Sequence, residues 1–374
     1  MKLQFKKTDL INAINIVSKA VPSKTTMSIL ECILVDASNG KIELVGNDAE
    51  FGIQTVCAGT ILEPGKVALE AKIFSEIIRR LPEAANIEVT IETDERNNTV
   101  ITCENSVFKI AGRDGNEFTA LPKIDKNQSV SLSQFMLRQI ISQTIFSISA
   151  NDSNKKMTGE LFEVNGDDFN VTSLDGHRIS IRRIKLNQNY EAAQAIVPGK
   201  ALNELSKILS GGVYDEVIVY FSTNHIMFEF NDTLVVTRLI DGDYFHVAQM
   251  LSEDYETKIV VNRKNFLDCL DRSTIFVKDN EKQPLVLKIE ENVLGLKIKT
   301  DLGTMDAEIA IKKTGNDLMI GFNPKFLADA LRAIEDEEVT IYMSIPRSPC
   351  FIRDDKKTYN YMILPVNFNA EAYR

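Results

Sequence analysis

Three ten-residue stretches decide the fold: KIFSEIIRRL at Lys72–Leu81, KALNELSKIL at Lys200–Leu209 and KFLADALRAI at Lys325–Ile334. Aligned, they share an apolar stripe. It runs Phe74, Ile77, Ile78 and Leu81; then Leu202, Leu205 and Leu209, with Ser206 in the gap; then Leu327, Ala330, Leu331 and Ile334. The spacing i, i+3, i+4, i+7 is one face of an amphipathic helix. The polar positions repeat as well. Lys72, Glu76 and Arg79 match Lys200, Glu204 and Lys207, and these match Lys325, Asp329 and Arg332. Asn323-Pro324 opens the third copy as an N-cap followed by proline at the first helical position.

Outward from each stretch lie a loop and an alternating strand pattern, at Ile87–Ile91, Glu216–Tyr220 and Glu338–Tyr342. An earlier helix repeats too: Leu10, Ile14 and Val17 precede Leu137, Ile141 and Thr144 by 127 residues. Thr144-Ile145-Phe146 recurs as Thr274-Ile275-Phe276, and strand patterns such as Lys41–Val45 and Leu294–Ile298 lie between the helices. A period of about 125 residues is too long for a solenoid repeat and has the size of a whole domain. The expected fold is α+β: three copies of one domain, each with two helices packed on antiparallel sheets, over residues 1–122, 123–250 and 251–374.

The chain carries 43 basic and 53 acidic side chains, a formal charge of −10. The excess is uneven. Six helical segments (6–19, 72–81, 131–156, 200–209, 263–274 and 325–334) hold 16 basic and 7 acidic residues, a net +9, which leaves −19 on the remainder. Solvated i,i+3 and i,i+4 pairs explain any one of these helices. A common positive sign in all six, against an acidic background, is the footprint of phosphate-backbone binding. Three domains with a basic helical face suggest an arc, and two arcs a ring with twelve helices inside. At ~9 Å between helix axes, the twelve make a circle roughly 34 Å across. Subtracting about 10 Å of helix leaves room for a hydrated duplex.

Other function classes are excluded. No apolar run approaches the ~18 residues of a membrane span. Met1–Val21 lacks a signal peptide's continuous apolar run. Five scattered cysteines (Cys32, Cys57, Cys103, Cys269 and Cys350) give neither a CxxC pair nor a disulfide framework. A cytoplasmic protein with no membrane partner is expected. GxxxxGK(S/T) and GxGxxG are both absent. His177, His225 and His246 show no metal-ligand spacing with the cysteines. No catalytic residue, metal or cofactor is therefore expected. Asp175-Gly176-His177-Arg178 reads as a tight turn between strands, with an acid–base site on His177 as the rival reading.

Several motifs in sequence order carry a family resemblance. They are Met1-Lys2-Leu3 with its helix Leu10–Val17, Leu174-Asp175-Gly176-His177-Arg178-Ile179, Thr237-Arg238-Leu239-Ile240-Asp241-Gly242, Ile320-Gly321-Phe322-Asn323 and Tyr361-Met362-Ile363-Leu364-Pro365-Val366. Together they resemble the bacterial DNA polymerase III beta subunit family, the replication sliding clamps, over the whole chain. The resemblance implies the DNA clamp fold, with this chain as half of a six-domain ring. That ring would be a head-to-tail homodimer encircling duplex DNA without sequence specificity. It also implies a non-catalytic processivity role in DNA replication. The replicative polymerase, the clamp loader and other proteins would bind through a short clamp-binding peptide. From the residues alone, the alternative is a non-ring DNA-binding scaffold of three repeats.

The resemblance implies a partner-peptide pocket between the second and third domains. Its positions here are Met157, Leu174, Gly176, His177, Arg178, Ile179, Phe245, Gln249, Met250, Asn323, Phe326, Met362, Ile363, Leu364 and Pro365. They are mostly apolar, with methionines that can repack around different peptides. The strand Tyr361–Val366 fits pocket and core equally. The chain departs from the family pattern at Leu174, Phe245, Val247 and Gln249, and in a tail from Asn367 to Arg374. For DNA the resemblance implies Lys24 and Asn151, and electrostatics adds Arg79, Arg80, Lys207 and Arg332. For the subunit interface it implies Phe108 and Ile110 on a first-domain edge strand, with Ile275 and Phe276 on the third domain.

Overall fold

The computed structural model describes residues 1–82, 87–150, 153–277 and 284–373. The first repeat runs β1 (Lys2–Lys6), α1 (Lys7–Val17), β2 (Cys32–Asp36), β3 (Glu43–Asn47), β4 (Phe51–Val56), β5 (Thr60–Glu63), β6 (Lys66–Glu70), α2 (Ala71–Arg80), β7 (Glu88–Thr93), β8 (Asn98–Cys103) and β9 (Ser106–Asp114). The second runs β10 (Ser129–Ser133), α3 (Gln134–Ser142), β11 (Gly159–Leu174), β12 (Arg178–Pro198), α4 (Gly199–Ile208), β13 (Glu216–Phe221), β14 (His225–Phe230) and β15 (Thr233–Arg238). The third runs β16 (Thr257–Asn262), α5 (Arg263–Thr274), β17 (Leu285–Glu290), β18 (Val293–Thr300), β19 (Gly303–Gly315), β20 (Leu318–Phe322), α6 (Pro324–Arg332), β21 (Glu338–Met343), β22 (Cys350–Arg353) and β23 (Tyr359–Ile363). Each repeat is strand, helix, strands, helix, three strands: three α+β domains, as the period requires.

The described residues gather into two compact units, Met1–Phe135 with Lys200–Leu239, and Met136–Gly199 with Ile240–Arg374. Each unit holds one outer repeat and part of the middle one. In the first, thirteen strands form one sheet in the order β10-β13-β14-β15-β4-β3-β2-β6-β9-β8-β7-β1-β5. In the second, ten strands run β11-β12-β23-β22-β21-β16-β19-β18-β17-β20. Each sheet therefore crosses from one repeat to the next, through β15 on β4 and through β12 on β23.

The helices bury the expected stripes, with one rotation. α6 buries Leu327, Ala330, Leu331 and the following Ile334, and Asn323 caps it by accepting the Lys325 N–H at 3.0 Å. On α2, Ala71, Phe74, Ser75 and Ile78 face the sheet, while Ile77, expected in the stripe, stays half-buried. Small side chains at positions 71 and 75 let the helix turn slightly, which moves Ile77 to the margin.

A further device repeats with the topology. The first residue of each leading helix secures the end of the second helix in its own repeat. Lys7 Nζ donates to the Leu81 carbonyl at 2.5 Å. Gln134 accepts the Ser210 N–H at 2.9 Å and donates to the Glu216 carbonyl at 3.1 Å. Arg263 donates to the carbonyls of Leu331 and Asp336 at 3.3 and 2.9 Å. The Leu81 and Leu331 carbonyls are otherwise orphaned helix-end groups that need such partners, while Gln134 ties down the loop after α4.

Candidate functional site

The basic residues of the second helices point to solvent, and those near the helix ends are anchored to a nearby acid. Arg79 and Arg80 reach Glu76 at 2.6 and 3.1 Å, and Lys207 reaches Glu204 at 2.6 Å. Arg332 reaches Asp329 at 3.3 Å and Asp271 of α5 at 2.5 Å. The acid of the repeated pattern is thus the local partner of its base. Exposed pairs of this kind contribute ~0–1 kcal/mol and are screened by salt, so a phosphate oxygen can replace the carboxylate. Lys24 is exposed in the loop after α1. Asn151 lies outside the described residues.

The second unit carries a largely buried apolar cluster built on one cross-strand row, where the peptide groove is expected. Tyr342 pairs with Phe351, Phe351 with Met362, Met362 with Ile179, and Ile179 with Leu174. Five strands, β21, β22, β23, β12 and β11, thus set five apolar side chains in line. On the last repeat's strands their neighbours Ile341, Ile352 and Tyr361 alternate to the opposite face and join the core. Met157, Ile181, Tyr244, Phe245, Val247, Leu251 and Leu364 pack around the row. Tyr244 meets Phe245 edge to face at 5.4 Å, and Arg353 lies over the Tyr342 ring at 4.5 Å. Burial, with the Glu160 carboxyl close by, pushes the Tyr244 hydroxyl above its usual range. Glu160 is itself fully buried, and burial holds its carboxyl well above the carboxylate range.

A hairpin turn closes one end of the groove. Asp175 Oδ1 accepts the N–H groups of His177 and Arg178 at 2.9 and 3.1 Å. Gly176 takes φ +87°, a left-handed conformation that glycine adopts without strain. The exposed His177 ring stacks on Phe326 at 6.1 Å, and its carbonyl accepts the Leu364 N–H at 2.9 Å. Arg178 turns inward. Its guanidinium donates to Asp175 at 3.0 Å, to Asp329 at 2.8 Å and to the Phe146 carbonyl, and lies 4.4 Å over the Phe326 ring. It is only 8% exposed and its guanidinium is taken up by these partners, so it braces the hairpin at the end of the groove.

Ile363 likewise alternates into the third-repeat core. Gln249 and Met250 are exposed on the rim, Pro365 is half-buried, and Asn323 serves as a helix cap. Sequence reading missed Tyr342 and Phe351. Their signal was an apolar residue on the outward side of strands whose inward side was already apolar.

Among the described residues His177 meets Asp175, Phe326 and Leu364, which make no catalytic set. Among the described residues no group of three His, Cys, Asp or Glu is arranged to hold a metal ion. All five cysteines are free and buried, and burial pushes the Cys57 and Cys350 thiols up to about 12. No helix among the described residues is long and apolar enough to cross a membrane.

Among the described residues β9 and β19, which lie inside their sheets, each leave one stretch of strand unpaired on one side. β9 pairs with β6 only through Gly112, Arg113 and Asp114, so its stretch 106–111 has one free side. β19 pairs with β16 only from Ile311 onward, so its stretch 303–310 has one as well. Phe108 and Ile110 are half-buried on β9, and Val107 between them and the strand start is 59% exposed. At the β19 edge the Phe276 ring lies against Gly303, 2.9 Å from where a Cβ would stand, and Ile275 is 73% exposed.

Comparison with known proteins places this architecture. Family models of the DNA polymerase III beta subunit match along the chain: the N-terminal domain at 1–122, the central domain at 131–246 and the C-terminal domain at 248–367. The crystal structure of a putative DNA polymerase III beta subunit from Eubacterium rectale is 52% identical, covering 98% of this chain and 100% of that one, with a TM-score of 0.94. This chain belongs to the DNA polymerase III beta subunit family. The DNA polymerase sliding clamp of Bacillus subtilis matches with a TM-score of 0.94 at 29% identity, covering 99% of this chain and 100% of that one. The beta sliding clamp of Staphylococcus epidermidis is 29% identical over 98% of this chain and 99% of its own length. The chain is accordingly a DNA sliding clamp, a non-catalytic processivity component of replication.

Proposed function

We propose that two copies of this chain close head to tail into a six-domain ring around duplex DNA, in the cytoplasm, with domains at 1–122, 123–250 and 251–374. One observation carries this reading: a register that repeats. At both internal junctions the last strand of one repeat pairs with the strand after a hairpin in the repeat before it. Val235 faces Ile53 and Val236 faces Gly52; Tyr361 faces Ser180 and Met362 faces Ile179. By the same topology β9 is a last strand lacking such a partner, and β19 carries a post-hairpin edge lacking one. Carried over to a second copy, the register sets Phe108 opposite Met305, Lys109 opposite Thr304, and Ile110 opposite Gly303. Phe276 and Ile275 then flank Ile110 and Phe108, giving an open edge the apolar cover it needs. On the other face Lys109 lies diagonal to Asp306, within reach of an ion pair. Two different edges in contact close a ring when the rotation between copies suits it.

A closed ring keeps DNA by topology, so individual phosphate contacts can stay weak and permit sliding. Lys24, Arg79, Arg80, Asn151, Lys207 and Arg332 supply this sequence-independent attraction. The groove seats an extended peptide carried by the replicative polymerase, the clamp loader and other partners, with one or two apolar side chains as anchors. Sedimentation should give twice the 42.0 kDa chain mass. Protein loaded on nicked circular DNA should be retained and then lost when the circle is cut. Equal loss from circular and linear DNA would refute the ring.

A further inference from the structure

We propose that the junction between the first two repeats carries a second copy of the peptide groove, and that Asn47, Gly52 and Leu121 keep it filled by the chain's own linker. The proposal rests on the groove reading above. The row of five recurs in the first unit. Tyr220 pairs with Met227, Met227 with Val236, Val236 with Gly52, and Gly52 with Asn47. Strands β13, β14, β15, β4 and β3 stand where β21, β22, β23, β12 and β11 stand in the other unit. Tyr220, Met227 and Val236 form an apolar cluster. Lys126 covers the Tyr220 ring at 4.9 Å, as Arg353 covers Tyr342. The hairpin ends also match. Asp48 Oδ1 accepts the N–H groups of Glu50 and Phe51 at 3.0 and 2.7 Å, as Asp175 does from His177 and Arg178. Ala49, at φ +76°, stands for Gly176.

The rows part at two positions. Leu174 and Ile179 are replaced, 127 residues earlier, by Asn47 and Gly52. Both replacements hold the linker. Asn47 donates its side-chain amide to the Thr119 carbonyl at 3.1 Å. A Cβ on Gly52 would stand 2.1 Å from Leu121 Cδ2, so Leu121 occupies the volume that the Ile179 side chain fills in the other groove. The later linker keeps the flanking residues, with Phe245 and Leu251 standing 127 positions after Phe118 and Ile124, but it has Ala248 in place of Leu121. Ala248 is exposed and plugs nothing. Beside the first linker a cavity of about 660 Å³ remains, lined in part by Met227, Leu234 and Val236. At the open edges the same row reads Glu92, Val100 and Lys109 on one side and Thr304 and Lys299 on the other, which provides no apolar floor. Peptide is therefore confined to the junction between the second and third repeats.

Titration of the full chain with a fluorescein-labelled hexapeptide bearing two apolar anchor side chains, alongside limited tryptic cleavage after Lys123, tests this. The wild type should bind one peptide per chain. Leu121→Ala leaves the sheet untouched; it should bind two, and cleavage after Lys123 should be roughly tenfold faster or more. Gly52→Ile should reach the same state through the strand. One peptide per chain in both variants despite a freed linker overturns the proposal. So does linker cleavage that neither variant changes, or a wild type that already binds two. A wild type that binds no peptide refutes the groove reading itself, while the cleavage rates still decide whether Leu121 anchors the linker.

Discussion

Replacing Arg178 by alanine removes the one cation shared by Asp175 and Asp329, whose side chains are 13% and 18% exposed. Taking one partner from a buried ion pair costs about 3–5 kcal/mol, because the remaining charge is left unpaired. Two facts reduce that here. Asp329 keeps Arg332 at 3.3 Å, and Asp175 keeps its two backbone N–H donors. The expected loss is therefore about 2–4 kcal/mol. At about 2–4 °C per kcal/mol for a unit of this size, the melting step of the second unit should fall by roughly 5–15 °C. Arg178→Lys should recover little, since one ammonium cannot serve two carboxylates and the Phe146 carbonyl in a fixed fork. The chain has no tryptophan, so near-ultraviolet circular dichroism of its tyrosines and calorimetry are the suitable assays. A loss below about 1 kcal/mol, the range of an exposed pair, would refute the bracing role. So would unchanged melting accompanied by weakened peptide binding.

At the proposed subunit contact, Lys109→Glu and Asp306→Lys should each weaken the dimer several-fold, on the order of 1 kcal/mol, and the double exchange should restore it. Sedimentation that is indifferent to all three would exclude that register. Reversing Arg79, Lys207 and Arg332 together should lower the slope of log affinity for DNA against log salt by about 0.9 for each phosphate that is no longer neutralised. An unchanged slope removes these helices from the DNA-facing surface. Glu160 has a folded-state pKa above its unfolded value, so the folded chain holds the extra proton and stability falls as pH rises between the two. Glu160→Gln stays neutral throughout and should gain on the wild type as pH rises above the unfolded carboxyl value of about 4.3, by ~1.4 kcal/mol per pH unit until the folded carboxyl ionises. Parallel melting profiles would contradict this.

The triplication is legible in the sequence because amphipathic helices leave a local period, and three copies 125 to 128 residues apart repeat both their apolar and their charged positions. The strand that follows each second helix is legible for the same reason. What the sequence hides is the long-range pairing. That β15 lies on β4 and β12 on β23 depends on partners more than a hundred residues away, and alternation alone fixes no partner. The inward turn of Arg178 is hidden from the sequence, because it depends on Asp329, 151 positions later. Ile77 is misjudged because the stripe counts apolar letters, whereas the helix seats its small residues Ala71 and Ser75 against the sheet. The groove is half legible. Its hairpin and terminal strand carry motifs, but Tyr342 and Phe351 become groove residues only once the strands are laid side by side.

The device at the helix ends constrains how the three repeats can be exchanged. Lys7 and Arg263 bring a positive charge to the negative end of the helix they secure, while Gln134 brings a neutral amide that also accepts a hydrogen bond from Ser210. A leading helix transplanted from an outer repeat into the middle one would arrive without an acceptor for Ser210. The reverse graft would strip an outer repeat of its cation. The copies are alike in outline, yet each has become matched to its own address in the chain.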